Sequence, residues 1–336
     1  MVDRTEPPEP ARLVEIVETE PVDRVRDALT ALAAAPPSVR KDAVQALGDL
    51  AGDAPSRFDG LAPAIASFLT DEERAIRLTT AKLFVAVAEA EPDAVLGAVD
   101  ALGARLADED EFYYVRARSA EALGYVALEH PDAVAAPDVL ADLRVGLAFD
   151  EPEVTAKLAK ALAFVALGDP DRLRHLVEHL GDHLDAESEL VRYHVCTALV
   201  ATGCEHPERL TDVRRALAAR LDDPNPYVRG RAAEAFGTAG ADVFEDYPTA
   251  RLRALTDDEE SFVTERGAFA LAAERGRSGD RRSEESDLGT IASLRRTTDS
   301  VIEELTTADA VDDCPHCGAA LPESGPPMCP QCGAPR

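Results

Sequence analysis

An all-α solenoid of about seven stacked helical hairpins is the fold class that this sequence predicts. First, a Val or Ile recurs as a register mark at Val39, Ile76, Val115, Val154, Val191, Val228 and Val263. Successive marks lie 37, 39, 39, 37, 37 and 35 residues apart, a period typical of stacked helix pairs. Second, fixed columns follow each mark at helical spacing. Third, the chain has no Trp, only 5% aromatic residues and abundant Ala and Leu, which suits helix–helix packing better than sheets.

The columns define one helix face. Four positions after the mark stand Ala43, Thr80, Ser119, Leu158, Val195, Ala232 and Gly267, mostly small. Seven after it stand Ala46, Leu83, Ala122, Ala161, Ala198, Ala235 and Ala270. Eight after it stand Leu47, Phe84, Leu123, Leu162, Leu199, Phe236 and Leu271, all large and apolar. Offsets of 0, 4, 7 and 8 share one side of an α-helix. Small residues let neighbouring helices approach, and the large one fills the layer between them. Residues 222–237 are the clearest copy, with a Pro-containing turn leading into such a helix.

In chain order, residues 1–10 are polar and Pro-rich and are expected to be disordered. Residues 11–275 hold the repeats. The first outer helix runs to Ala35 with an interruption at Pro21, and Pro36-Pro37 ends it. Later outer helices are expected near 61–69, 92–106, 137–148, 170–184, 207–221 and 247–255, several opening on Pro. Gly52, Gly168, Gly203 and Gly240 sit where left-handed caps would close inner helices. Residues 276–287 carry no apolar side chain and read as a linker. In 288–308, Ile291, Leu294, Thr298, Val301 and Leu305 follow a three-four spacing. That helix either caps the last repeat or forms a short coiled coil.

One position after the mark stand Arg40, Arg77, Arg116, Thr155, Arg192, Arg229 and Thr264. Six residues before that position lie Asp71, Asp110, Asp223 and Asp258. This Asp-x5-Arg turn with its trailing Ala-x2-Ala-Leu-Gly resembles the HEAT repeat, in the HEAT-like form also found in phycobilisome-lyase proteins. The resemblance covers roughly residues 10–275. It implies a ladder between the Asp of one turn and the Arg of the next helix. The ladder is broken at Thr155 and Thr264; Ala34 replaces the first Asp, and Asp185 comes one residue early.

The net charge is −29, from 64 acidic and 35 basic residues, and Lys occurs only at positions 41, 82, 157 and 160. An acidic, Lys-poor surface resembles that of proteins from salt-loving archaea, where molar salt cuts the screening length to about 3 Å. Such a charge disfavours DNA binding. The N-terminus has no apolar signal core and no apolar run is long enough to span a bilayer, so a cytoplasmic location and no membrane partner are expected.

Residues 312–336 contain Cys314-Pro-His-Cys317-Gly and Cys329-Pro-Gln-Cys332-Gly. Four thiolates suit one tetrahedral zinc ion, and Gly318 and Gly333 let the backbone turn behind it. The tail resembles a small zinc ribbon holding one structural Zn2+; iron or disulfides are the other uses of this pattern. Cys196 and Cys204 read as buried small apolar residues. His175, His179 and His183 form a stripe on an outer helix and read as a solvated face. No phosphate loop, His-Glu-x-x-His or nucleophile elbow is present, so no catalytic residue is assigned.

Three positions after the mark stand Asp42, Thr79, Arg118, Lys157, His194, Arg231 and Arg266; six after it stand Gln45, Lys82, Glu121, Lys160, Thr197, Glu234 and Phe269. Inner helices of such solenoids line the concave face. Arg118, Lys157, Lys160, His194, Arg231 and Arg266 are therefore the expected solvent-exposed partner-binding residues, suited to an acidic segment of a protein partner. The resemblance implies a non-catalytic adaptor or scaffold, as in signalling or motility complexes. A nucleic-acid-associated role through the ribbon is the runner-up, and a bilin-lyase-like enzyme is the third reading.

Overall fold

A computed structural model describes residues 7–275, 287–307, 310–313, 320–322 and 328–329. Every register mark falls in the first turns of a long helix. These inner helices are α1 (Pro37–Asp53), α2 (Arg74–Ala90), α3 (Tyr113–Glu129), α4 (Pro152–Gly168), α5 (Glu189–Glu205), α6 (Pro226–Ala239) and α7 (Ser261–Arg275). An eighth helix, α8, covers Ile291–Thr307. Pro occupies the first turn of α1, α4 and α6, where its missing N–H costs no hydrogen bond. The Asn225 side chain caps α6, accepting from the N–H groups of Tyr227 and Val228 at 2.9 and 3.3 Å. Of the four glycines expected as caps, only Gly240 adopts a left-handed φ, +80°. Gly52 and Gly203 lie inside their helices, and Gly168 is the last residue of α4.

The chain forms two compact units. The first comprises the described residues of 1–146 and 310–329, and the second those of 147–307. In the first, α1 packs on α2 and α2 on α3. In the second, α4 packs on α5, α5 on α6 and α6 on α7. The marks from Ile76 to Val263 are all buried, as are the large residues from Leu47 to Leu271. No described helix is long and apolar enough to cross a membrane.

The outer halves differ from expectation. The first is two helices, Pro10–Thr19 and Val22–Leu32, broken at Pro21 as its sequence requires. Others begin as 3₁₀ turns, Pro92–Ala98, Pro170–Leu173 and Pro207–Val213, and only then become the α-helices Val99–Ala107, Val177–Gly181 and Arg214–Arg220. Each of these turns opens on Pro after a residue outside the helical region, Glu91, Asp169 and His206 having φ of −140°, −149° and −124° with ψ of 73°, 101° and 59°. The chain therefore arrives bent and tightens before it can settle into the α geometry.

The Arg–acid ladder is present with a different register. The Asp71 carboxylate accepts from Arg40 at 2.7 and 2.9 Å, so the rung reaches the preceding inner helix. Arg77, six residues after Asp71, instead donates to the Asp71 backbone carbonyl at 2.8 Å. Its side chain pairs with Glu111, not Asp110, at 2.7 and 2.9 Å, and the longer Glu arm makes up for a one-residue shift. Arg192–Asp223 and Arg229–Asp258 complete the bidentate set. The fourth repeat has Phe149 at the acid position and Thr155 at the Arg position; the Thr155 hydroxyl turns back to the Phe149 and Glu151 carbonyls.

The N-terminal helix starts at Pro10, and residues 1–6 of the expected disordered end lie outside the described residues. So do linker residues 276–286. In the tail, β1 (Ala310–Asp313) pairs antiparallel with β2 (Ala320–Pro322), Asp313 opposite Ala320.

Candidate functional site

In the second unit the inner-helix face is not open. Helix α8 lies across it, packed on α5 and α4 and hydrogen-bonded to α6. It is thus a cover on the middle of the unit's inner helices, not a cap on the last repeat. Its buried stripe is Leu294, Thr298, Val301 and Leu305, four of the five residues whose spacing marked the helix. Ile291 is half-buried.

Beneath α8 sits an ionic cluster. Arg231 and Glu234 are 0% exposed and Arg266 is 2% exposed, so none of the three reaches solvent. Glu234 Oε2 accepts from Arg231 Nη1 at 2.7 Å and from Arg266 Nε at 2.8 Å. The Arg266 guanidinium stacks 3.4 Å from the Phe262 ring centroid, which fixes its plane. Burial pushes the Glu234 carboxyl up, but the two guanidiniums and their hydrogen bonds outweigh it and hold it below the ordinary carboxylate range. Two cations share one anion, so the cluster keeps one net positive charge.

That charge is aimed at α8. Arg231 Nη2 donates to the hydroxyls of Tyr193, Thr297 and Thr298 at 3.0, 2.8 and 3.3 Å. At the start of α8 the Gly289 N–H donates to Glu234 Oε1 at 3.2 Å, and its carbonyl accepts from Cys204 Sγ at 3.4 Å. Gly289 has φ +73°, and a Cβ there would meet Phe269 at 2.7 Å and Thr238 Oγ1 at 2.9 Å. Only glycine allows this approach. Farther along, Arg295 Nε donates to the Leu167 carbonyl at 3.2 Å, and Tyr227 bonds Glu304.

The expected exposed basic column is therefore corrected. Arg231 and Arg266 are spent on Glu234, His194 is buried beside Tyr193, and Lys160 is buried near the Phe164 ring. Lys157 is half-buried. In the first unit Arg118 is also half-buried and pairs with Glu121 at 2.7 Å. The signal for this lay in the two columns read side by side: Arg118-x2-Glu121 and Arg231-x2-Glu234 each place an acid one turn above the cation. Thr298 enters the sequence pattern only as part of the α8 stripe, and nothing in that pattern points to Tyr193, Thr297 or Gly289. Their role depends on where α8 docks, which no local pattern states.

Elsewhere the histidine stripe does not converge. His179 and His183 meet edge-on at 5.1 Å, while His175 accepts from Arg174. Among the described residues no group of three His, Cys, Asp or Glu is placed to hold a metal. Cys196 is fully buried, and desolvation pushes its thiol up to about 12, which suits a packing residue rather than a nucleophile. Cys314, Cys317 and Cys332 lie outside the described residues; Cys329 is buried.

Comparison with known proteins places this geometry. The family model of HEAT repeats matches residues 99–187 and 177–272, together more than half of the chain. A crystal structure of an engineered protein is similar over 78% of this chain and 77% of its own, with a TM-score of 0.61 and 19% identity. A crystal structure of a Kap121p mutant is similar over 79% of this chain and 32% of its own, with a TM-score of 0.50 and 17% identity. Both likenesses concern the fold. Comparison with curated proteins returns no match.

Proposed function

The chain belongs to the HEAT-repeat family, and from that premise we propose that it is a non-catalytic scaffold that holds a protein partner on its inner-helix face. The observation that carries this reading is α8. A helical segment is seated on the inner face of the second unit through an apolar stripe and a buried Arg cluster, which supports reading that face as a polypeptide-binding surface. Arg118 and Lys157, both half-buried, are the cations of the expected set with the most exposure left for a partner's acidic groups. Signalling and motility assemblies are the expected setting.

Photo-crosslinking tests this. A crosslinking amino acid at Thr79 or Lys157, on inner helices, should yield polypeptide adducts in cells. The same group at Arg174 or Glu178, in an outer half, should yield few. Adducts to nucleic acid would favour the runner-up role, and equal yields from both faces would overturn the scaffold reading.

The tail is proposed as a zinc ribbon in which Cys314, Cys317, Cys329 and Cys332 hold one Zn2+. Two features fit. The chain pairs antiparallel at Asp313 and Ala320, which flank the first Cys-Pro-x-Cys in sequence, and Cys329 is buried. Bound there, zinc would be a closed structural centre. Elemental analysis should find one zinc per chain, and Cys329→Ser should abolish it while leaving the solenoid helical. Protein purified without chelator yet free of metal would count decisively against the assignment.

A further inference from the structure

The seat under α8 specifies what kind of partner it takes. Arg231 is held by Tyr193 and Phe262 and Arg266 by Phe262, groups of the repeats themselves, and both cations pair with Glu234 independently of α8. What α8 adds is a pair of hydroxyl acceptors on Arg231 Nη2 and three large apolar side chains, Leu294, Val301 and Leu305. These features follow one helical face at spacings of 0, 4, 7 and 11, with Thr298 at the second position. The glycine at residue 289 lets the helix start directly against Glu234 and Phe269.

The hold on α8 is modest. Of its 17 residues, the large apolar side chains that are buried among those described are Leu294, Val301 and Leu305, with Ile291 and Ile302 half-buried beside them. It is joined to α7 through residues 276–286, which contain no apolar side chain. Covalent attachment within one chain keeps a segment at an effective concentration of about millimolar. A tethered occupant of moderate intrinsic affinity fills its site, yet an external ligand of higher affinity can replace it.

We propose that the inner face of α4, α5 and α6 is a receptor site for an amphipathic helix supplied in trans, and that α8 is its occupant in cis. The partner helix carries large apolar residues at spacings of 0, 7 and 11 and a Thr or Ser pair over Arg231. This deepens the scaffold reading and rests on it, because it names the chemical class of partner. The site is closed at rest, and a partner binds by replacing α8.

The test uses the full chain and a fluorescent peptide of residues 288–307. Leu294→Asp with Val301→Asp in the chain removes two of the three anchors and should free the seat. Anisotropy should then show the peptide binding this variant at least ~100-fold more tightly than the unaltered chain, the factor expected from losing a tethered competitor. A peptide with Thr297→Val and Thr298→Val should lose most of that binding, and this control cannot disturb the folding of the protein. Arg231→Met in the freed chain should do the same while leaving a balanced Glu234–Arg266 pair. No peptide binding by a freed chain that remains helical, or equal binding by freed and unaltered chains, would overturn the proposal. Inner-face crosslinks to a protein partner combined with no peptide binding would leave the scaffold reading standing and sink this one alone.

Discussion

Glu234→Gln should destabilise the second unit by about 3–5 kcal/mol, because it leaves two buried guanidiniums with no anion between them. The amide keeps the shape of the carboxylate, so the loss measures charge and not packing. Arg231→Met should cost less, since it leaves a one-to-one pair between Glu234 and Arg266. Urea unfolding of the three proteins supplies the measurement, and a loss within ~0.5 kcal/mol for Glu234→Gln, the range of an inert surface change, would deny the cluster any structural weight. Acid should tell the same story. The carboxyl sits below its ordinary value of 4.5 in the folded chain. Its contribution is therefore complete above that pH and is lost as pH falls through the folded-state value. The unaltered chain should lose stability across this acid window, and the Gln variant should lose less there.

Asp223→Ala should be the second large effect, again roughly 3–5 kcal/mol. The Asp223 side chain is fully buried. It takes two bonds from Arg192 at 2.9 Å, one from Arg220 at 3.1 Å and the Asn225 N–H at 3.0 Å. Removing it strands Arg192 and loosens the turn into α6. Asp258→Ala is the comparison, because its rung to Arg229 is partly exposed, with side chains 15% and 19% accessible. Water can replace part of what is lost there, so the cost should be about 1 kcal/mol. Equal losses at the two positions would mean that burial does not set the value of a rung.

The repeat was legible because it is a matter of columns. The burial of Ile76, Val115, Val154, Val191, Val228 and Val263 follows from spacing alone, and each long inner helix begins where its mark places it. The outer halves were less legible. Pro92, Pro170 and Pro207 announce a start, but a Pro start is compatible with a 3₁₀ turn as well as an α-helix, and the tighter form won. The ladder was half legible: Asp71 and Arg77 were visible as a motif, but the carboxylate belongs to Arg40, a partner 31 residues upstream. The site was the least legible. Column position places Arg231 and Arg266 on the inner face, but that face is covered by α8 and both are buried. The stripe of α8 correctly marked a helix with one buried side, but a stripe specifies an apolar counterpart without naming it. The helix could have met the end of the stack or a second copy, and it meets α4 and α5.

The docking of α8 also imposes an order of events on a growing chain. Stacked hairpins close mostly on near neighbours in sequence, so each can fold soon after it is synthesised. The bond from Arg295 to the Leu167 carbonyl spans 128 residues, and the bonds from Arg231 to Thr297 and Thr298 span 66 and 67. During synthesis α4, α5 and α6 are therefore complete while their cover has yet to be made. The seat is first presented open, over the interval in which the last repeat and residues 276–307 are translated. On the proposed reading, that is the interval in which a partner helix would meet the Arg231 cluster with no competitor in cis.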